Sequence, residues 1–284
     1  MRFWPALAAV LLVAPAAPAL ADRDPQSGAP LPPHKARTSS PITDRFYISG
    51  AFYAPAVYTN LRLDPGNAAP GVTGTPLYAE RDLGLPSRLD QGVVEFMFRM
   101  RERNKLRVDY FEADRSANYL LANTVVFGNQ TFLAGQMAQS SIQWRMFALT
   151  YTYSFYRSDR LEIGTGLGVY FIQAQASAAV LAESESQSVS AADPIPTLPL
   201  DFTWCISRHF AFTAHANYAE ARIDQARGSF TDLHSELQYR WNPNFSIGAG
   251  WSEMRIALER DIGSIPGAVA MRFSGPQVLL RFSF

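Results

Sequence analysis

An aspartate and a histidine two residues apart, Asp232-Leu233-His234, are the side chains best placed to do chemistry in this chain. Residues i and i+2 of a strand point to the same face. A carboxylate beside an imidazole orients the ring and raises its basicity, as a general base requires. His215 falls on the preceding segment, so Asp232, His234 and His215 form the candidate catalytic set. The plainer reading is structural, with His234 hydrogen-bonded to Asp232 or Glu236 inside a packed interior. The histidines, at 34, 209, 215 and 234, follow no spaced metal-ligand pattern, and neither a metal nor a cofactor is expected. Gly164-x-Gly166-x-Gly168 lacks the spacing of a dinucleotide-binding turn. Small residues there make room for a bulky neighbour such as Trp144 or Met146. Cys205, the one cysteine, cannot form an internal disulfide and reads as a small packed side chain rather than a nucleophile.

A second set of residues carries charge. Glu95, Arg99, Arg101, Arg107, Asp109, Glu162, Asp201, Asp232, Glu236, Arg240 and Arg281 all fall on the polar parity of segments that alternate with period 2. If those segments are strands of a closed barrel, these charges face its interior. Glu95 and Arg99 would then meet Arg107 and Asp109 across one hairpin. Such a set either fills the lumen as a satisfied network of paired charges or lines a narrow polar pathway or binding cup.

The elements that position them are read from the alternation. Ten segments show it: 45–59, 89–101, 105–118, 140–157, 160–178, 195–206, 209–224, 229–241, 244–259 and the C-terminal stretch to Phe284. It is cleanest where Leu198, Leu200, Phe202, Trp204 and Ile206 oppose Asp201, Thr203 and Cys205. Tight connections at 101–105, 157–160, 207–209 and 242–244 alternate with longer ones at 60–88, 119–139, 179–194, 225–228 and 260–267. Short turns on one side and longer loops on the other are the pattern of a membrane β-barrel. Two segments break parity, near Phe111 and after Trp251, either at a bulge or because the strand has risen above the membrane. Val125–Phe132, centred on Gly128-Asn129, reads as a small extra hairpin in the second long loop. The fold expected is an all-β, antiparallel, up-and-down transmembrane barrel of ten strands over residues 45–284, with eight or twelve as alternatives. Leu77-Tyr-Ala-Glu80 and Asp82-Leu-Gly-Leu-Pro86 in the first long loop either fold back into the barrel mouth or pack on themselves as an outer extension.

Composition agrees with this class. Hydrophobic residues make up 48% and aromatics 13% of the chain, yet beyond the N-terminal stretch no run of 18 apolar residues would make a membrane helix. With 25 basic and 25 acidic residues the formal net charge is zero, which gives no field to steer nucleic acid. Arg2, an apolar stretch from Phe3 to Leu20 and the small-residue site Ala19-Leu20-Ala21 read as a signal peptide over 1–21. Residues 22–44, rich in Pro, Ser and Ala, read as a flexible periplasmic leader.

Along the last strand Val278, Leu280, Phe282 and Phe284 share one face, while Gln277, Arg281 and Ser283 share the other. The aromatic final residue resembles the C-terminal insertion signal of bacterial outer-membrane barrels. The stretches Arg107-Val-Asp-Tyr-Phe-Glu-Ala-Asp-Arg115, Phe127-Gly-Asn-Gln-Thr-Phe132, Leu149-Thr-Tyr-Thr-Tyr-Ser-Phe155, Leu161-Glu-Ile-Gly-Thr-Gly-Leu167 and Gly275 to Phe284 are similar to a family of uncharacterised proteobacterial outer-membrane β-barrel proteins. That resemblance implies fold and location and carries no catalytic residue. Omptin proteases, ten-stranded outer-membrane barrels, also hold an aspartate–histidine pair. The second aspartate pair of that family has no counterpart in this sequence.

The function expected is that of an integral outer-membrane barrel, structural or acting as a narrow pore or surface-binding barrel. The alternative is an outer-membrane hydrolase with its site at Asp232 and His234. Expected partners are outer-membrane lipid and lipopolysaccharide, and the barrel-insertion machinery that would read Phe284. The barrel is expected to be a monomer in the bacterial outer membrane with no nucleic-acid partner.

Overall fold

Residues 40–64, 74–127, 130–180, 186–223, 226–260 and 267–284 are described by a computed structural model; the expected signal peptide over 1–21 and residues 22–39 of the expected leader lie outside them. Where period-2 alternation runs unbroken the chain is extended. The strands are β1 (Phe46–Tyr53), β2 (Ala56–Leu63) and β3 (Leu77–Tyr78), then, after the one-turn helix α1 (Ala79–Asp82), β4 (Gln91–Arg101) and β5 (Asn104–Leu120). β6 (Val125–Phe127) and β7 (Gln130–Phe132) form a separate two-stranded hairpin. β8 (Met137–Arg157), β9 (Leu161–Val180), β10 (Ser186–Cys205), β11 (Phe210–Ile223), β12 (Ala226–Asn242), β13 (Phe245–Arg260) and β14 (Gly267–Ser283) complete the wall.

These strands close into a ten-strand antiparallel barrel. Closure is made by β14, whose Ser283–Gln277 half pairs with β1 and whose Ser274–Gly267 half pairs with β2. The segment expected as one strand over 45–59 is therefore interrupted at Ala54-Pro55. Pro55 has no N–H to give to a ladder, so it sits at a break. Beyond it β2 has no partner in β4, which begins only at Gln91, and it pairs with β3 instead. The hairpin expected at Val125–Phe132 is present, with Val125 opposite Phe132, and stands apart from the barrel sheet. The connection expected over 179–194 is mostly strand, since β9 runs to Val180 and β10 starts at Ser186. Of the polar run Glu183-Ser-Glu-Ser-Gln-Ser, residues 183–185 lie outside the described residues.

The outside of the barrel carries an apolar belt. Phe96, Phe98 and Met100 on β4, Phe147, Leu149 and Tyr151 on β8, and Val278, Leu280 and Phe282 on β14 are all exposed. Hiding each such side chain from water is worth about 1.5–3 kcal/mol, so a continuous band of them is a surface made for lipid. Toward the loop end the pattern inverts. On β5, Phe111 and Ala113 are buried, while Asp114 on the opposite parity is exposed. On β13, Met254 and Ile256 are buried and Arg255 is exposed. The β5–β8 and β13–β14 ladders run through both places without a register shift. There is no bulge. The strands have left the belt, so water now lies outside and the apolar face turns in. The register shifts that do occur, at Arg99/Arg101, Ser154/Tyr156 and Arg240/Asn242, are all at the turn end.

Gly166, the middle of the alternate glycines of β9, serves strand approach rather than a bulky neighbour. A Cβ on Gly166 would lie 2.0 Å from the Tyr151 carbonyl oxygen of β8, closer than any real contact. Trp144 and Met146 are buried farther toward the loop end, opposite Ala174 and Ile172.

Candidate functional site

The interior is built in storeys. At the turn end Ser40–Asp44 folds into the barrel, with the Thr43 and Asp44 amides donating to the Ser40 carbonyl. Ile42 is buried against Cys205 and Ala211. Asp44 is buried and takes a two-pronged contact from Arg240, at 2.6 and 3.2 Å. Residues 40–44, read from the sequence as the end of the leader, are held in the barrel end because Asp44 answers a buried guanidinium. Phe284 ends the wall nearby, its amide donating to the Phe46 carbonyl and its ring 6.0 Å from that of Phe46.

Above this cap lies the charged storey. Arg99 donates to both oxygens of Glu162, at 2.7 and 3.0 Å, and Ser154 donates to the same carboxylate at 2.6 Å. Lys105 lies 3.3 Å from Asp201, Arg107 donates to Asp201 at 3.0 Å, and Thr152 adds a bond at 2.9 Å. Arg281 donates to Glu236 at 2.9 Å, with Thr213 and Gln238 on the same oxygen, and its guanidinium lies 4.0 Å above the Tyr47 ring. Tyr47 in turn donates to Glu95 at 2.6 Å. Each carboxylate buried here receives at least one charged donor or a hydroxyl, the condition for ions away from water.

The partners differ from those the sequence suggested. In the β4–β5 register Glu95 faces Asp109 and Arg99 faces Lys105, so Arg99 reaches instead across the barrel to Glu162 on β9. Arg101 is a correction: it shares the inward parity but is exposed, because the ladder slips between Arg99 and Arg101 at the strand end. Arg107, Glu236, Arg240 and Arg281 are buried, and Asp109 is half-buried 3.3 Å from Arg107. Lys105, Asp44 and Arg115 are buried charges that the sequence reading missed. Lys105 and Arg115 carry the inward parity of β5 and were legible in that respect; Asp44 lay in a stretch without alternation.

Asp232, His234 and His215 come together one level higher. His234 Nε2 is 2.9 Å from Asp232 Oδ1, Tyr170 donates to Asp232 Oδ2 at 2.8 Å, and the Ser252 hydroxyl is 3.0 Å from His234 Nδ1. His215 is the Cα partner of His234 across β11 and β12. Its Nδ1 lies 2.8 Å from Arg107 Nη1 and 3.1 Å from Asp201. Its Nε2 is buried and has no partner among the described residues.

These groups line a cavity with Glu95, Asp109 and Glu236. It gives about 50 Å³ to the centres of water-sized molecules, enough for a few waters at about 10–15 Å³ each. Tyr53, Phe111, Met146 and Met254 line its loop-end side. A carboxylate beside an imidazole is present, in a hollow that holds only a few waters. Among the described residues no three His, Cys, Asp or Glu side chains are grouped to hold a metal ion.

The top storey is an apolar plug. Leu77, Ala79, Leu83, Leu85 and Leu89 are buried in one cluster with Phe111, Trp144, Ile256 and Phe273. Phe111 meets Phe273 edge-on at 5.7 Å, and Trp144 lies 6.2 Å from Phe273. Of the two arrangements open for the 77–86 stretch, its leucines take the fold-back, while Tyr78 stays half-buried beside Tyr58, 5.8 Å away. Gly84 turns the segment at φ +67°, where a Cβ would strike the Tyr119 ring at 2.5 Å. Only glycine combines that conformation with that approach.

No family model and no curated protein matches the chain. Among solved structures it is similar to the outer membrane protease OmpT from Escherichia coli, at 8% identity over 84% of this chain and 97% of that one, with a TM-score of 0.46. It is similar to Ail, the attachment invasion locus protein of Yersinia pestis, at 10% identity over 84% and 99% of the two chains, with a TM-score of 0.32. The Pseudomonas putida toluene transporter TodX matches at 8% identity over 87% and 91%, with a TM-score of 0.32. These are likenesses of barrel to barrel, and their activities differ from one another.

Proposed function

We propose that this chain is an integral outer-membrane barrel with a closed lumen, one that serves as a rigid wall and presents its loop end to the outside rather than conducting solute. The observation that carries the reading is the filled interior: the Asp44–Arg240 cap, the Arg99–Glu162 and Arg107–Asp201 pairs and the leucine plug succeed one another from turn end to loop end. Charges spent on one another leave little to guide an ion, and the apolar plug is a barrier to water. The exposed apolar belt and the aromatic C-terminus support placement in the outer membrane by the barrel-insertion machinery, following cleavage of the 1–21 signal peptide. The stretches similar to uncharacterised proteobacterial barrels support membership of that group. The barrel acts as a monomer whose belt meets outer-leaflet lipid and lipopolysaccharide.

Liposome swelling tests this. Proteoliposomes of the refolded protein should swell no faster in isotonic small sugars or amino acids than empty liposomes. Swelling that scales inversely with solute size would overturn the closed-lumen reading.

A further inference from the structure

On one wall the belt ends beneath a pair of outward arginines. Arg255 of β13 and Arg272 of β14 are direct cross-strand partners. Each is exposed between buried neighbours, Met254 and Ile256 on one strand and Met271 and Phe273 on the other, so both point away from the lumen. Trp251, nearer the turn end on β13, is exposed, and its indole N–H donates to the Ser274 hydroxyl at 3.1 Å. A tryptophan on the outer face of a membrane barrel marks the level where hydrocarbon gives way to headgroups, and the arginines follow above it. Tyr58 of β2 is the partner of Arg272 on the same face.

Like charges directly opposite one another oppose strand pairing, and here a single carboxylate offsets two cations. Arg255 Nε pairs with Glu253, and Arg272 Nε lies 3.1 Å from the same oxygen. Among the described residues no second acid lies within ion-pair distance of either, so one positive charge is left over. The β5–β8 wall is different: Arg145 is answered by Glu112 at 2.9 Å, and Asp114 adds a further acid on that face. The next outward position above the arginine pair is small. Ser229, Ala257 and Ala270 are exposed there, and Asn60 is the partner of Ala270. They form a shelf where a bulky headgroup can come against the strands, with a hydroxyl and an amide to meet sugar hydroxyls. Lysine occurs in this chain only at 35 and 105, so every fixed cation on this face is an arginine. A guanidinium keeps its charge and forks onto phosphate oxygens. Surplus guanidinium at headgroup level, beneath such a shelf, is complementary to a phosphorylated glycolipid.

We propose that Arg255 and Arg272 form a binding site for a phosphate of lipopolysaccharide, whose acyl chains run down past Trp251 and whose sugars rest on the shelf of Ser229, Ala257 and Ala270. The inference rests on the outer-membrane placement proposed above and gives the lipid contact a specific address. Native mass spectrometry of the full-length refolded protein in non-ionic detergent, titrated with rough lipopolysaccharide, reads the affinity. Arg255→Gln/Arg272→Gln should weaken binding at least about tenfold, as expected when charge-assisted bonds are lost. Arg145→Gln on the β5–β8 wall should leave it unchanged. Glu253→Gln removes the competing carboxylate and should bind at least as tightly as the parent. Lipopolysaccharide stripped of phosphate should bind the parent as weakly as the intact form binds the double variant, and an equal concentration of phosphatidylglycerol should not displace the intact form. Unchanged affinity in the double variant, an equal loss in Arg145→Gln, weaker binding in Glu253→Gln or undiminished binding of the stripped lipid would overturn the proposal. Displacement by phosphatidylglycerol would overturn it too, by making the surface one for any anionic lipid. All four positions lie on the outward parity, so heat-modifiable migration should remain that of the parent. A parent chain that never migrates as a folded barrel would overturn the membrane placement instead, which keeps the two failures apart.

Discussion

Arg115 of β5 and Glu80 of α1 form the ion pair that fastens the plug to the wall, 2.6 Å apart and largely out of water. The same guanidinium donates to the Thr59 hydroxyl at 2.5 Å and the Pro86 carbonyl at 3.3 Å, while the Thr59 amide donates back to Glu80 at 3.0 Å. One arginine thus joins β2, β5 and both ends of the buried leucine segment. Removing Glu80 strands a buried cation, which costs about 3–5 kcal/mol. Glu80→Ala should therefore raise hydrogen exchange and protease cleavage across residues 77–89, with the belt strands unchanged. Exchange in that segment identical to the parent would show that the leucines alone hold it.

Arg99 and Glu162 should behave as one unit. Glu162→Ala leaves Arg99 buried without its carboxylate and should lower unfolding stability by about 3–5 kcal/mol, whereas Arg99→Met/Glu162→Leu together should recover most of the loss. Urea unfolding of the protein refolded into bilayers measures both. A double variant no more stable than the single one would mean that the pair is not an independent unit.

Arg101 supplies the contrast. It is two residues from Arg99 and shares its parity, yet it is exposed. Arg101→Ala should change stability by no more than about 0.5 kcal/mol in the same unfolding assay. A loss comparable with that of Glu162→Ala would place its side chain inside.

Gly166→Ala should impair the barrel out of proportion to one methyl group. The added Cβ meets backbone, the Tyr151 carbonyl, and backbone cannot rotate away. Overpacking of this kind costs typically about 1–3 kcal/mol. The refolding yield, read as the heat-modifiable fraction on a gel, should fall below that of Gly92→Ala, where a Cβ meets nothing within 4 Å. Equal yields would contradict the tight β8–β9 approach.

Much of this barrel was legible because a strand has only two faces. The alternation of Phe210 and Phe212 with Thr213 and His215, or of Leu237 and Tyr239 with Glu236 and Gln238, gives inside and outside directly. Period 2 carries no information about height, however. The chemistry of the two faces exchanges where the wall leaves the belt, which is why Phe111 and Met254 looked like breaks in pattern and why Arg115 went unread. Pairing partners were hidden for a related reason. Strand tilt, not sequence neighbourhood, sets which side chains share a level, so Arg99 finds Glu162 rather than its hairpin neighbours. Asp44 was illegible because an isolated capping residue has no period at all. The meeting of Asp232, His234 and His215 was legible from parity and adjacency; the lid over them, made by leucines from a distant loop, was one of two arrangements the sequence left open, because nothing local to that loop decides between them.

Single-channel recording most directly tests the closed lumen. The refolded protein in a planar bilayer should give no conductance steps, while a variant with residues 77–89 replaced by a Gly/Ser linker and carrying Arg99→Ala and Glu162→Ala should give small, discrete ones. Steps of comparable size from the unaltered protein would contradict the reading, because a current cannot pass an interior that the Arg99–Glu162 pair and the leucine plug fill.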